Sequence, residues 1–237
     1  MASHIFFVPG IPANGAILDL PEESARHVVQ VLRMQAGEAL RLSDGRGNMA
    51  EAAIVSAGKK QCAVAIQSVQ QIPPAKKKVS IAISPVKNSS RFEWFLEKAT
   101  EIGVQEIIPL ICQRTEKQHL RIDRLKNILV SAMLQSQQAW LPELLEPRSF
   151  SSVIQNHEGY LKLVAHCADD DKRVQLSSIR SDEHTLILIG PEGDFTMEEI
   201  QAAMDAGFRP VMLGETRLRT ETAAVVAVSL LRNLGSH

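Results

Sequence analysis

The second half of the chain alternates short apolar runs with longer segments of helical period. Apolar residues recur every three or four positions across 121–138, which is typical of an amphipathic helix. Continuous runs of strand length lie on both sides of it, at 79–84, 106–111, 160–165 and 185–189. Strands that alternate with helices predict an α/β domain in which a mostly parallel sheet carries helices on both faces.

The N-terminal part has a different rhythm, with short β-rich runs at 4–8, 39–43, 49–57 and 61–71. Tight turns at 44–47 and 58–60 separate the last three runs, and a short helical pattern covers 21–33. Several short strands with tight turns predict a small β-barrel. The chain then passes through Pro73-Pro74 and three lysines, a composition that favours an extended, solvated linker. We therefore divide the chain into domains at 1–74 and 75–237.

Two helix starts carry a local signature. Thr196 followed by Glu199, and Ser90 followed by Glu93, both have the spacing of a capping box. A second short strand at 210–213 leads into a last helix at 222–234, for which a threonine at its start is the expected cap.

Composition narrows the class of protein further. The net charge is −1, but residues 76–148 carry twelve Lys and Arg against eight Asp and Glu, so the positive surplus lies in the middle of the chain. Cys62, Cys112 and Cys167 are far apart and odd in number, which predicts neither disulfides nor a zinc site. The acidic run at 169–171 is interpreted as a solvated loop, and no metal is expected.

The chain shows no signal peptide and no apolar run close to the roughly eighteen residues of a membrane span. We therefore expect a cytoplasmic protein without a membrane partner.

Two stretches near the C-terminus carry the strongest candidate chemistry. Gly190-Pro-Glu-Gly193 follows the run 185–189, and Leu213-Gly214 precedes Leu218-Arg-Thr-Glu-Thr-Ala223. Open α/β sheets bind ligands where strands end and helices begin, and glycine lets the backbone approach a ligand closely. The simpler alternative is a pair of ordinary loops, because Gly-Pro and Leu-Gly turns are common.

These two motifs, in this order, resemble the C-terminal signature of the bacterial 16S ribosomal RNA (uracil-N3) methyltransferases of the SPOUT superfamily. The resemblance covers about residues 4–230, and the run from His27 to Arg33 is similar to that family's barrel domain. It implies a trefoil-knotted methyltransferase domain at 75–237 and a PUA-like RNA-binding β-barrel at 1–74. It also implies S-adenosylmethionine as cofactor, 16S ribosomal RNA or the small ribosomal subunit as partner, and a homodimer.

For the cofactor, the resemblance implies binding by the main chain of both motifs. Apolar side chains around these turns are expected to enclose adenine, and N–H and C=O groups are expected to bond its edge. The expected cofactor-binding residues are Ile189, Gly190, Pro191, Glu192, Gly193, Leu213, Gly214, Leu218, Arg219, Thr220, Thr222 and Ala223.

Methylation at N3 of uracil requires loss of a proton, because the neutral nitrogen is a poor nucleophile. A cation directed at O2 or O4 favours the anionic ring. Arg219 is the first candidate for this role, and Arg114, which follows the run 106–111, is the second. Glu221 or Glu192 is the candidate proton acceptor, directly or through water.

Arg33, Lys98, Arg114 and Gln135 are the candidates for RNA contact. Arg33 ends the first helical pattern beside a glycine turn, where a guanidinium suits phosphate contact or base stacking, and a solvated arginine is the alternative. Lys98 fits a substrate cleft in the resemblance, but with Glu101 it equally fits an i,i+3 surface pair.

Three positions depart from the family pattern. Leu134 stands where glutamate is usual, Gln138 where arginine is usual, and Asp194 where a second glycine is usual. Asp194 is expected either to favour a cationic sulfonium or to cap the next helix. These departures keep open an RNA-binding module with a vestigial cofactor pocket. A nucleotide-binding α/β protein with a small-molecule substrate is a further alternative, weakened by the lack of a P-loop or G-x-G-x-x-G.

Overall fold

The computed structural model describes residues 4–58, 60–168 and 173–233, and the acidic run 169–171 lies outside them. The chain divides into two units. One unit contains Met1–Pro74 together with Met133–Leu141, and the other contains Ala75–Ala132 together with Pro142–His237. The division of the sequence at residue 74 placed Met133–Leu141 in the second domain, whereas the structure groups this segment with the first unit.

The first unit is built on a five-stranded sheet in the order β1-β3-β4-β5-β2. Its three central strands pair antiparallel, and β1 pairs parallel with β3. The strands are β1 (Ile5–Phe7), β2 (Ile17–Asp19), β3 (Ala39–Ser43), β4 (Asn48–Ala57) and β5 (Cys62–Gln71). Helix α1 (Glu22–Arg26) continues as a π-helical segment, His27–Val31, which the sequence pattern does not distinguish from a single helix.

Alternation of apolar side chains explains how this small sheet buries one face. Leu40 and Leu42 of β3 and Val64 of β5 are fully buried, and Ala25 and Val28 of the helical segment pack into the same cluster. The turn between β3 and β4 closes because Asp44 Oδ1 accepts hydrogen bonds from the N–H groups of Arg46 and Asn48, at 2.8 and 3.1 Å. The expectation of a small PUA-like β domain is confirmed.

The second unit is an α/β domain around a parallel sheet of order β11-β13-β10-β12-β6-β7-β8, with β9 also paired to β7. Every pair in it is parallel. The strands are β6 (Val79–Ile83), β7 (Glu106–Ile111), β8 (Glu143–Leu144), β9 (Arg148–Ser149), β10 (Leu161–Ala165), β11 (Val174–Gln175), β12 (Thr185–Ile189) and β13 (Arg209–Met212). The helices are α2 (Ser89–Ile102), α3 (Ile122–Gln135), α4 (Phe150–Ile154), α5 (Met197–Asp205) and α6 (Thr220–Asn233), with a 3-10 turn at Leu176–Ser178.

Both faces of this sheet are covered. Leu186 and Leu188 of β12 pack in one cluster with α4 and α5, whereas Ile187 points to the opposite face because strand side chains alternate. On that opposite face α2 packs against α6, and α6 contacts β6 and β12. The mostly parallel α/β sheet with flanking helices is therefore confirmed, and the trefoil knot stays a prediction.

Helix starts test the local signatures. The capping box of Thr196 and Glu199 is present at the start of α5, as predicted. The prediction of a capping box at Ser90 and Glu93 is wrong, because Asn88 caps α2. The Asn88 side chain accepts a hydrogen bond from the Ser90 N–H at 2.9 Å. The last helix begins at Thr220 rather than at 222. Among the described residues, no helix is both long and apolar enough to cross a bilayer.

Candidate active site

A cavity of about 740 Å³ lies in the second unit, where three neighbouring parallel strands end. Ala165, Ile189 and Met212, the last residues of β10, β12 and β13, line it, and the turns that follow these strands form its walls. This is the edge at which α/β sheets bind ligands. The volume is within the about 300–1,000 Å³ of small-molecule and cofactor sites.

The two C-terminal motifs lie at this one cavity. Ten of the twelve residues expected to bind the cofactor line it: Ile189, Gly190, Pro191, Glu192, Leu213, Gly214, Leu218, Arg219, Thr220 and Ala223. Gly193 and Thr222 are not among the lining residues, and the carbonyl of Gly193 is turned toward Arg114, whose Nη1 donates to it at 2.7 Å.

Gly190 and Gly214, the glycines of the two turns, have different surroundings. A Cβ on Gly190 would lie 3.0 Å from the ring of Phe195, so the small residue permits close packing inside the protein. A Cβ on Gly214 would meet no atom within 4 Å, so the space above that backbone is open. A ligand in the cavity can therefore approach the main chain of Gly214 directly.

The turn 190–195 is held by the carboxylate of Asp194. Its Oδ2 accepts a hydrogen bond from the N–H of Cys167 at 2.8 Å, and its Oδ1 accepts from the N–H of Phe195 at 2.8 Å. Asp194 has φ of 63°, in the left-handed region that glycine, asparagine and aspartate tolerate best. The expectation that Asp194 caps α5 is wrong, because Thr196 is the N-cap.

Arg91, in the first turn of α2, joins two acidic residues at the cavity. Its guanidinium lies 3.4 Å from Glu192 Oε1 and 3.7 Å from Glu221 Oε1. Glu192 lines the cavity and is exposed, but Glu221 does not line it and its side chain is only 7 % exposed. Glu221 Oε2 is buried and has no hydrogen-bond partner among the described residues.

Arg219 is exposed at the rim of the cavity. Its guanidinium forms no hydrogen bond or ion pair within the part of the chain that the structure describes, so its donors are available to a ligand. Arg114, the second candidate cation, is instead engaged by Gly193 and does not line the cavity.

The other residues expected to contact RNA, Arg33, Lys98 and Gln135, are not among the residues that line the cavity. Arg33 is exposed in the first unit, with φ of 56° just after the π-helical segment, and Gln135 is exposed at the end of α3. Lys98 on α2 pairs with Glu97 at 2.7 Å and Glu101 at 2.9 Å. The hydrogen bond that Lys98 donates to Glu97, followed by the one that it donates to Glu101, raises the pKa of Lys98.

Several lining residues had no marker in the sequence. Arg91 lies between the residues of a proposed capping box and carried no functional signal, and His166 and Cys167, which follow β10, include no glycine or other turn signal. Arg173 also lines the cavity. For the residues after β10, the sequence contains one indirect signal: the strand run 160–165 implies that the residues just after it lie at the ligand-binding edge of the sheet. Within the described residues no group of three His, Cys, Asp or Glu is arranged to hold a metal ion.

The fold and the cavity together define a class of enzyme. A parallel α/β sheet with a nucleoside-sized cavity at its strand ends, and a free arginine at the rim, is the framework of a group-transfer enzyme with a nucleotide-like cofactor. Residues 73–232 match the family model of the RNA methyltransferase domain, and residues 20–67 match that of the RNA methyltransferase PUA domain. The chain belongs to the RNA methyltransferase family, and the predicted enzyme class is confirmed.

Solved structures of similar proteins agree with this assignment. A probable rRNA-methyltransferase of Porphyromonas gingivalis is 39 % identical, with a TM-score of 0.90 and 98 % of each chain covered. A putative methyltransferase of Legionella pneumophila, solved with bound S-adenosylmethionine, is 32 % identical, with a TM-score of 0.88 and 98 % of each chain covered. The ribosomal RNA small subunit methyltransferase E of Neisseria gonorrhoeae, bound to S-adenosylmethionine, is 28 % identical, with a TM-score of 0.89 and the same coverage.

Proposed function

We propose that this protein transfers a methyl group from S-adenosylmethionine to N3 of a uridine in 16S ribosomal RNA of the small subunit. The observation that carries the proposal is the shared cavity, because the turns after β12 and β13 both line it and Arg219 stands free at its rim. The names of the similar proteins, and the bound S-adenosylmethionine in two of them, support the same substrate and cofactor.

The cavity fits S-adenosylmethionine chemically. Ile189, Leu218 and Ala223 offer apolar surface for adenine, and the open space above Gly214 lets backbone groups reach its edge. The carboxylates of Glu192 and Asp194 offer partners for positive charge. When bound, S-adenosylmethionine supplies an electrophilic methyl group on a cationic sulfur.

Arg219 has the position needed to activate uracil. Its unpaired guanidinium is able to donate to O2 or O4 of a base that enters the cavity mouth, and this stabilises the negative charge that develops when N3 loses its proton. Because the Arg219 guanidinium has no partner among the described residues, no existing hydrogen bond has to break when it donates to the base. We retain Arg114 as a cation that holds the turn at Gly193.

Of the two acidic candidates, we propose Glu192 as the proton acceptor. Glu192 is exposed in the cavity, so it is within reach of N3–H directly or through one water. Glu221 is buried behind Arg91, and we propose that it fixes the Arg91 guanidinium between the two carboxylates. In this step the N3 proton passes to Glu192 and the N3 lone pair forms the new bond to the methyl carbon. The bond from that carbon to sulfur breaks, its electron pair stays on sulfur, and S-adenosylhomocysteine is the leaving group.

RNA recognition is assigned to the PUA-like unit together with polar residues of α2 and α3. Arg33, exposed at the end of the π-helical segment, offers a planar guanidinium for phosphate or base stacking. Lys98 and Gln135 are exposed enough to take part, although the bonds of Lys98 to two glutamates must be exchanged first. Because small ribosomal subunits are assembled in the cytoplasm, the proposed substrate implies a cytoplasmic protein.

We also propose a homodimer formed through α6. Val226 and Leu230 lie four positions apart on this helix, and both remain partly exposed together with the adjacent Val225, which leaves an apolar stripe uncovered in the single chain. A second copy of the same helix is the simplest cover for that stripe. Light scattering of the purified protein tests this, and a monomeric mass at micromolar concentration would contradict it.

The proposed activity has a direct test. Small ribosomal subunits are purified from a strain that lacks this gene, incubated with the protein and methyl-labelled S-adenosylmethionine, and digested to nucleosides for mass spectrometry. The expected result is label in 3-methyluridine alone. Label in another nucleoside contradicts the N3 assignment. Binding of both ligands without transfer supports an RNA-binding module with a vestigial pocket.

A further inference from the structure

A second, smaller cavity lies in the same unit beside the first turn of α2. Its volume is about 130 Å³, well below the about 300 Å³ at which sites for drug-sized molecules begin. A group of only a few atoms fits such a space. It is lined by Val86, Ser89, Phe92, Glu93, Lys117, His119, Leu120, Arg121, Arg124 and Leu125.

The charged groups around this cavity are unbalanced. Three cations, Lys117, Arg121 and Arg124, face one carboxylate, Glu93, which leaves two positive charges in excess when histidine is neutral. Arg124 alone satisfies the carboxylate, because its Nε and Nη2 donate to the two oxygens of Glu93 at 2.7 and 2.8 Å. Lys117 and Arg121 therefore stand at the cavity without a neutralising partner among its walls.

Both of these cations line the cavity, and their side chains have few polar contacts. Lys117 Nζ donates to the hydroxyl of Ser89, a neutral partner that leaves its charge uncompensated. Arg121 is exposed, and its guanidinium forms no hydrogen bond or ion pair within the described residues. The bond from Arg124, and after it the charges of Arg121 and Lys117, lower the pKa of Glu93, so the field of all three cations reaches this carboxylate.

Apolar side chains below these cations increase their electrostatic attraction for an anion. Val86, Phe92 and Leu125 are buried and apolar, so water is excluded below the cations and electrostatic attraction for an anion is less screened there than at an open surface. The amino-terminal end of α2, a helix of 14 residues, begins at Ser89 and adds its partial positive charge.

We propose that this cavity binds a backbone phosphate of the RNA substrate. The inference rests on the proposed function, which supplies RNA as the anion, and adds a recognition site to it. A phosphodiester group is small, singly charged and rich in acceptor oxygens, and an arginine with a lysine beside a hydroxyl is a suitable set of donors for it. An isolated nucleoside, by contrast, is too large for about 130 Å³.

The place of the cavity agrees with this assignment. Ser89 and Phe92 of α2 line the small cavity, whereas Arg91, between them in sequence, lines the large one. Residues of the first turn of one helix thus reach both sites, and a helix with its side chains is about 10–12 Å across. An RNA strand whose target base enters the large cavity therefore passes close enough to leave a neighbouring phosphate in the small one.

The test removes the two unbalanced charges. The variant Lys117→Gln with Arg121→Gln is compared with Lys126→Gln, which removes an exposed cation of α3 that lines neither cavity. We expect the double variant to raise KM for small subunits about tenfold, with kcat and S-adenosylmethionine affinity unchanged. We also expect the dependence of log Kd for RNA on log salt to become shallower by about 0.7–0.9 for the lost phosphate contact. Lys126→Gln should change neither quantity.

Further arms separate the possible failures. The charge-conserving variant, Lys117→Arg with Arg121→Lys, should recover most of the affinity, and unchanged melting temperatures exclude misfolding as the cause. A double variant that matches Lys126→Gln in KM and salt dependence overturns the phosphate site. An effect seen with assembled subunits but absent with protein-free RNA would instead indicate an acidic protein partner and also overturns it. A wild-type protein that neither binds nor methylates RNA removes the proposed function itself.

Discussion

The two turns that close the large cavity are held in opposite ways. The turn 190–195 is bonded to its surroundings, because Asp194 binds the N–H of Cys167 and Arg114 binds the carbonyl of Gly193. Asp194 N–H also donates to the carbonyl of Pro191 at 2.9 Å. In the turn 213–219, by contrast, residues 214–217 are exposed, and residues 214–218 form no hydrogen bond within the described chain.

This difference assigns the two turns different parts in binding. The first is preorganised, so little is lost when a ligand meets it. The second has unpaired backbone groups, and a bound cofactor is able to satisfy them, at the cost of ordering the segment. We infer that the turn 190–195 sets the position of the cofactor and that the turn 213–219 closes on it, carrying Arg219 toward the base.

The largest effect is expected from the loss of Arg219. Replacing Arg219 by Ala removes the cation that stabilises the deprotonated uracil, and loss of one such donor typically lowers kcat by about 10²–10³-fold. S-adenosylmethionine affinity should change little, because adenine is held by backbone and apolar groups. Single-turnover kinetics and calorimetry measure the two quantities.

Arg209→Ala provides a matched control, because Arg209 is an exposed arginine on β13 that does not line the cavity. Its turnover should equal that of the wild type. If Arg219→Ala retains wild-type kcat, Arg219 has no part in uracil activation and the proposed closing of the second turn loses its catalytic purpose.

The first turn should respond in stability rather than in turnover. Asp194→Ala loses the side-chain hydrogen bonds to the N–H groups of Cys167 and Phe195 and forces a residue with a Cβ into φ of 63°. We expect the free energy of unfolding to fall by about 2 kcal/mol, about half from the hydrogen bonds and half from the backbone. Asp194→Gly loses only the two hydrogen bonds, and Asp194→Asn keeps an acceptor oxygen and tolerates the left-handed conformation.

The order of stability measured by urea unfolding should therefore be wild type, Asn, Gly, Ala. Asp194→Gly as unstable as Asp194→Ala would show that backbone conformation contributes nothing at this position, and the resemblance to a family glycine would lose its physical reason.

These two turns also show how far sequence reasoning reaches. The strand β12 and the capping box of α5 were predictable, because a continuous apolar run and a Thr-x-x-Glu spacing are local signals. The two glycine motifs, which are also local signals, indicated the edge of the sheet at which a ligand binds. Asn88 was missed as a cap because three suitable residues, Asn88, Ser89 and Ser90, follow one another, and only the folded backbone selects one.

Long-range features had no local signal. The contact of Asp194 with Cys167 joins residues 27 apart in the chain, and that of Arg114 with Gly193 joins residues 79 apart. The segment Met133–Leu141 belongs to the first unit through bonds such as that from Trp140 Nε1 to the carbonyl of Ile72, at 3.1 Å. Strands of two residues, such as β8, are too short to show a period.

Substitution of Gly190 and of Gly214 by alanine should distinguish a glycine needed for packing from a glycine needed for close approach of the cofactor. In Gly190→Ala the new methyl group meets the buried ring of Phe195 at 3.0 Å, and such overpacking typically costs about 1–3 kcal/mol of stability. In Gly214→Ala it meets no protein atom within 4 Å, so the only cost is the backbone strain of a residue with a Cβ at φ of 156°, about 1 kcal/mol, and the melting temperature should fall less than in Gly190→Ala. S-adenosylmethionine affinity should fall about tenfold, because the methyl group occupies space used by the cofactor. Equal loss of stability in both variants would contradict this division.

The smallest expected signal is also the most direct comparison of the two turns. Amides of 214–218 have no protein acceptor, so without ligand they should exchange with solvent deuterium almost as fast as an unfolded peptide. Saturating S-adenosylmethionine should slow them several-fold, while the N–H groups of Cys167 and Asp194, already bonded, should change much less. Hydrogen exchange followed by mass spectrometry resolves the two segments. Equal protection of both would mean that the cofactor tightens the whole edge of the sheet, and no change at 214–218 would mean that the second turn does not close on the cofactor.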